Sequence, residues 1–379
     1  MGHSHKARLI IAAAISVSTA LAFSQQRPQG GAGAGIGDEP ANDMRRGLTR
    51  EGERLNADIE EVSPARRIGR DSAPLIPDVS TNPAFRTIDG YGNNEESPEM
   101  NSHGAQLVRW LSADSADGIS AMADGIAGPR EISNAVAAQA ESIPNSLGAT
   151  DFFWQWGQFL DHDLSLTDGV EPAEHADITI PAGDAWFDPD NTGDRIMPFN
   201  RALYDIDSGT GSNNPRQQLN EITGWIDASN VYGSDSERAA ALRAFDGNGY
   251  LLTSAGDMLP YNLQGLANAG GVSPRMFLAG DVRANEQVGL TALHTVFVRE
   301  HNRLINEILI DNPSLSGEAA YQRARRIVGA QMQVITYREF LPLLLGADAL
   351  PPYEGYQPEV DAGIANSFST AAYRLGHSL

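Results

Sequence analysis

The segment Trp154-Gln-Trp-Gly-Gln-Phe-Leu-Asp-His-Asp163 constrains this chain more than any other. Read as a helix, it sets Gln158 and His162 at i,i+4 and Gln158 and Asp161 at i,i+3, so an amide, an imidazole and a carboxylate share one face. Asp163 lies about 200° round the axis from Asp161 at 3.6 residues per turn, so the two carboxylates serve different sites. The spacing predicts a pocket on one side of this helix and a second polar cluster behind it.

A chain of 379 residues can bury a large core, in one big domain or two ordinary ones. A net charge of −22 argues against a general nucleic-acid or anionic-membrane binder, either of which needs a basic surface. Lys6 and Arg8 precede an apolar run from Leu9 to Phe23, and Ala20 and Ala22 offer a cleavage site. Residues 1–24 therefore read as a secretory signal, which makes the chain secreted, either extracellular or periplasmic. A membrane anchor is the alternative, but the run is short and rich in Ala and Ser, so no membrane span is expected after cleavage. With no cysteine, an exported chain must draw its stability from packing, bound ions or a cofactor.

Residues 25–80 lack apolar periodicity, and Gly30-Gly-Ala-Gly-Ala-Gly-Ile-Gly37 reads as a flexible tether. Residues 81–379 are expected to form one domain. Leu290, Leu293, Phe297, Leu304 and Ile308 recur at three-, four- and seven-residue steps and predict a long amphipathic helix. Ile327, Met332, Ile335 and Leu343 to Leu345 suggest another, ended by Gly346. Loops dense in Asp, Asn, Gly and Pro separate the helices, and Ile178 to Ile180 is the clearest strand candidate. The fold class expected is mainly α, with few short strands and long loops.

Thr223-Gly-Trp-Ile-Asp-Ala-Ser229 offers oxygen at every second position: Thr223, the Trp225 carbonyl, Asp227 and Ser229. In an extended loop these point one way and suit a hard cation such as Ca²⁺, with Asp163 available as a further ligand. On its own the segment reads better as an ordinary Ser/Thr/Asp turn that caps the next helix. Arg283 and Glu286 stand at i,i+3, on one face if a helix has begun by then, and such a pair is usually a surface ion pair. His294 and His301 read as structural histidines. His377 follows Gly376, which would let a flat ligand approach closely. A lone histidine there would ordinarily carry no function.

Taken together, four motifs resemble the animal haem peroxidase family, the peroxidase–cyclooxygenase superfamily. They are Trp156-Gly-Gln-Phe-Leu-Asp-His-Asp163, Ile226-Asp-Ala-Ser-Asn-Val-Tyr-Gly-Ser234, Ala279-Gly-Asp-Val-Arg283 with Arg299-Glu-His-Asn-Arg303, and Arg374-Leu-Gly-His377. They occur in the family's order, and the resemblance runs from about Phe85 to the last residue.

The resemblance implies haem b and Ca²⁺ as cofactors. His162 matches the distal histidine with Gln158 beside it, Arg283 the distal arginine, and His377 the proximal iron ligand. Asp161 and Glu286 match the carboxylates that form ester bonds to haem, and Arg374 a residue that holds a haem propionate. Asp163, Thr223, Trp225, Asp227 and Ser229 match the calcium ligands. The function implied is H₂O₂-dependent oxidation of a halide, thiocyanate or a small organic donor. Gln287 stands where the most strongly oxidising members carry a haem-bonded methionine. Iodide, thiocyanate, bromide and phenols are therefore expected as donors, and chloride is not. The chain also stops two residues after His377, before an asparagine that supports the proximal histidine in the family, so it resembles the N-terminal part of a longer enzyme. Two alternatives stand beside this reading: a fatty-acid dioxygenase of the same superfamily, and a non-catalytic secreted binding module on the same fold.

Overall fold

A computed structural model describes residues 85–378; the expected signal segment and tether lie outside them. The first helix, α1 (Pro129–Val136), opens with proline and has no buried residue. Helix α2 (Phe152–Leu164) carries the signature segment, and Trp156 together with Phe159 to Leu164 is buried. Phe159 is fully buried, which contributes roughly 1.5–3 kcal/mol. Its ring stacks on Phe297 with centroids 5.1 Å apart, while Trp156 meets the same Phe297 at 6.0 Å. The aromatic positions that precede the polar triplet thus wedge α2 into the core and hold Asp161, His162 and Asp163 still.

Two strands of two residues each follow, β1 (Ile178–Thr179) and β2 (Ile196–Met197), paired antiparallel with Ile178 opposite Met197. Ile180 lies outside the strand. The short helices α3 (Ser229–Tyr232) and α4 (Ser236–Ala241) come next. The long helix α5 (Val288–Asp311) runs for 24 residues and buries Leu290, His294, Phe297, Val298, His301 and Leu304, close to the predicted stripe. It packs along α6 (Gly317–Ile335), whose inner face is Ala320, Tyr321, Ala324, Val328 and Met332. Alternating small and large residues on α6 let the two helices interlock. His294 and His301 are fully buried; His301 lies 2.8 Å from the Tyr232 hydroxyl through Nδ1 and 3.0 Å from the Gly249 carbonyl through Nε2.

The second predicted helix is longer and less regular than its pattern suggests. After α6 the backbone widens into a π-helical turn, Thr336–Phe340, before α7 (Leu341–Leu345) ends at Gly346 with φ +96°. The π turn shifts Phe340 against Phe153 of α2, with centroids 5.0 Å apart. Finally α8 (Asn366–Thr370) leads into a 3₁₀ segment, Ala372–Ser378. The Tyr373 hydroxyl donates to the Gly157 carbonyl at 3.0 Å, which seats this segment on α2. Among the described residues no helix is long and apolar enough to cross a membrane.

Candidate active site

A cavity of about 400 Å³ opens between α2, the loop before α5, the π turn and the 3₁₀ segment. Gln158, Asp161, His162, Arg283, Glu286, Arg374 and His377 all line it. These positions lie up to 219 residues apart in sequence, and folding brings every one of them to the same space. A larger open groove of about 820 Å³ between α5 and α6 contains none of them.

Helix α2 presents Gln158, Asp161 and His162 to the cavity, as i,i+3 and i,i+4 spacing requires. Arg283 and Glu286 arrive differently from the expectation. Helix α5 begins only at Val288, because Gln287 is extended (φ −157°, ψ 160°) and its side chain caps the helix by accepting from Gly289 N at 2.7 Å. Arg283 and Glu286 therefore lie on the turn before the helix, not on a helix face. The turn still delivers both to the cavity. Gln287 Nε2 donates to Gln155 Oε1 at 2.5 Å and Gln158 Oε1 at 3.0 Å, and Gln158 donates to Glu286 at 2.9 Å.

Asp161 sits between two guanidinium groups, with Oδ2 3.1 Å from Arg374 Nη1 and 3.8 Å from Arg283 Nη1. Burial raises its pKa, and Arg374 and then Arg283 oppose the rise. His162 is held well below the usual histidine range by burial and then by the Arg283 charge, while Asp281 pulls the other way. The imidazole is consequently neutral near pH 7. Burial alone would weaken the Arg283 charge, but Asp281 more than compensates and raises its pKa. Asp281 was not singled out from sequence. Its carboxylate takes Arg283 Nε at 2.9 Å and Nη2 at 2.8 Å, and it stands 3.5 Å from His162 Nδ1. An Asp-x-Arg pair at i,i+2 shares a face only in extended chain, and this pair lies in a turn before α5 instead, so only the conformation of the loop brings it into view.

Behind α2, Asp163 is fully buried and faces the Thr223 loop. Its Oδ2 accepts from Asp227 N and Ala228 N, both at 3.0 Å; Oδ1 accepts from Ser229 Oγ at 3.0 Å and Asn230 N at 3.1 Å. Thr223 Oγ1 donates to Ser229 Oγ at 3.3 Å. The loop is bent rather than extended, since Ala228 takes a left-handed φ of +64° and Ser229 already starts α3. Asp227 Oδ1 accepts from Ser229 N at 2.9 Å, so the capping role that the segment alone suggested is also present. Trp225 lies in the same loop, with its indole nitrogen donating to Met100 O at 3.2 Å. Burial and the neighbouring Asp227 push Asp163 up to about 7. Asp227 Oδ2 is buried without a hydrogen bond, although Arg86 Nε lies 3.7 Å away. Among the described residues no group of three or more His, Cys, Asp or Glu is arranged to hold a metal; here two carboxylates are supplemented by hydroxyls.

The chemistry of the cavity's lining fits a dianionic, iron-bearing ligand with a large apolar body. Phe153, Trp154, Phe340 and Leu344 supply apolar wall, and Arg374 and Arg283 supply cationic partners. Space remains open where a side chain at Gly376 would stand. His377 lines the cavity yet is exposed, which leaves its imidazole accessible.

The family model for animal haem peroxidase matches residues 85–379. Lactoperoxidase of Mesocricetus auratus is 36% identical over 348 residues, covering 80% of this chain and 48% of its own length. Myeloperoxidase of Mus musculus is 38% identical over 350 residues, covering 79% and 47%. The chain thus spans about half the length of these relatives. Among solved structures, peroxidase A of Dictyostelium discoideum superposes with a TM-score of 0.69 at 29% identity, over 77% of this chain and 59% of that one. A fatty acid alpha-dioxygenase of Arabidopsis thaliana superposes at 0.55 with 19% identity, over 71% and 39%, a likeness of fold alone.

Proposed function

The chain belongs to the animal haem peroxidase family, and on that premise we propose that its cavity holds haem b and uses H₂O₂ to oxidise iodide, thiocyanate, bromide or small phenols. The observation that carries this reading is the convergence of a neutral, buried His162, a partly buried Arg283 and an accessible His377 on one 400 Å³ space. When bound there, haem supplies the redox iron at which peroxide is cleaved and electrons are withdrawn from the donor. His377 would hold its iron, and Arg374 would pair with a propionate.

His162 acts as the base. Its unprotonated ring nitrogen takes a proton from H₂O₂ and returns it to the departing oxygen, which leaves as water. Arg283 holds a fixed positive charge beside the growing negative charge, and its clamp to Asp281 keeps it aimed there without reorganisation. Gln158 completes this wall and is itself fixed by Glu286 and Gln287. Asp161 and Glu286 would be the carboxylates that form ester bonds to haem. Calcium at Asp163, Thr223, Trp225, Asp227 and Ser229 would neutralise two buried carboxylates and brace the residue next to His162. The segment Leu9 to Phe23 would direct export.

The donor range separates this chain from stronger oxidants. The Gln287 amide is committed to Gln155, Gln158 and Gly289, and it offers no sulfur for a haem linkage. Steady-state assays of the haem-loaded chain should show iodide and guaiacol oxidised and chloride oxidised at least about 100-fold more slowly, a difference of roughly 3 kcal/mol in barrier. Chloride turnover comparable to iodide would contradict the assignment of Gln287. Acid–acetone extraction that strips all the haem would rule out the ester bonds.

A further inference from the structure

We propose that Asp281 is the positioning residue of this site: its carboxylate sets the His162 ring with Nδ1 protonated and turned inward, and it holds the Arg283 guanidinium alongside. The inference rests on the peroxidase reading of the cavity and names the group that organises it.

Asp281 is buried, and its Oδ1 accepts both the backbone N–H of Arg283, at 2.8 Å, and Arg283 Nε, at 2.9 Å. Oδ2 accepts Arg283 Nη2 at 2.8 Å, which completes a two-pronged clamp on a planar guanidinium. Oδ1 also faces His162 Nδ1 at 3.5 Å. That nitrogen is buried and makes no hydrogen bond to any described residue. A neutral imidazole carries one proton. Placed on Nδ1, the proton points at the carboxylate. Placed on Nε2, it leaves a bare lone pair facing a second lone pair in a buried site, which is unfavourable. The carboxylate therefore selects the Nδ1–H form. Nε2, 3.9 Å from Glu286 Oε2, is then the nitrogen left bare toward the cavity, as a base for peroxide requires.

The loop is built to hold Asp281 in place. Asp281 N donates to Asn230 O at 3.0 Å, and a side chain at Gly280 would collide with the backbone of Ser229, Tyr232 and Gly233. Only glycine allows this approach to α3. Asn230 in turn donates from Nδ2 to Phe159 O at 2.8 Å and from its backbone to Asp163. One short chain of contacts thus joins the oxygen-rich loop behind α2 to the two groups in front of it.

The test is the tautomer of His162 in the full chain labelled with ¹⁵N-histidine, read from long-range ¹⁵N–¹H correlations and assigned by comparison with His162→Gln. The expected result is protonated Nδ1 and bare Nε2 in the wild-type chain, with that preference lost in Asp281→Asn. A companion assay on the haem-loaded Asp281→Asn variant should read a fall of about 10- to 100-fold in turnover, with the KM for the electron donor unchanged. Protonated Nε2 in the wild-type chain would overturn the proposal, as would an unchanged Nδ1–H form in the folded variant. The wild-type tautomer is read without Asp281→Asn, so a misfolded Asp281→Asn still leaves a result that can overturn the proposal. If the Nδ1–H form is found but the haem-loaded chain oxidises no donor, the assignment of Asp281 stands and the peroxidase reading fails.

Discussion

His162→Ala should lower H₂O₂-dependent iodide oxidation by the haem-loaded chain by about 10³-fold, within the range lost when a positioned general base is removed. The magnitude follows from what remains. Arg283 keeps its charge and its clamp to Asp281, so electrostatic assistance survives, but no other described side chain at the cavity is a neutral imidazole in contact with that pair. Glu286 is the nearest replacement, and it is engaged by Gln158. The loss should appear in the rate of reaction with H₂O₂. Haem uptake should be unchanged, because His377 and Arg374 lie on a separate segment. Rapid-mixing kinetics together with haem content measure both. A fall of less than tenfold would mean that another group performs the proton transfer.

Asp227→Ala is expected to lower both haem content and the melting temperature, the latter by about 2–6 °C, the scale of a loss of one to two kcal/mol in a domain of this size. The sign of the change is informative. Asp163 and Asp227 are buried together, and burial with their mutual repulsion pushes Asp163 up to about 7. If no cation bound there, removing Asp227 would relieve that repulsion and leave the chain as stable or more so, apart from the lost contact with Arg86 and the cap on Ser229. If Ca²⁺ binds, its removal uncovers an unpaired buried carboxylate one residue from His162. A chelator should reproduce the fall in the wild-type chain and add little in Asp227→Ala. An unchanged melting temperature in both experiments would count against the loop as a cation site.

Periodicity proved a good guide wherever a single regular helix decides the outcome. The i,i+3 and i,i+4 relations among Gln158, Asp161 and His162 held because Trp156, Phe159 and Phe297 lock α2 in register. The stripe on α5 held for the same reason. The pattern misled where one residue breaks the regularity. Gln287 caps α5 and moves Arg283 and Glu286 onto a turn, Ala228 bends the oxygen-rich loop, and a π turn interrupts the run from Ile327 to Leu345. Contacts between remote segments were illegible altogether. The Asp161–Arg374 ion pair spans 213 residues, and β2 had no recognisable signal as the partner of Ile178. Asp281 escaped because its importance lies in where a loop points its carboxylate, which no spacing rule records.

The central claim is that one cavity, bounded by α2 and the 3₁₀ segment, is a haem site in which His377 would hold the iron. Titrating the purified chain with haem while recording the absorption spectrum tests it most directly. The prediction is a saturable Soret band at one haem per chain, with the band shifted and weakened in His377→Ala and retained in His162→Ala. A spectrum that never departs from free haem, or one identical in the wild-type and His377→Ala chains, would contradict it.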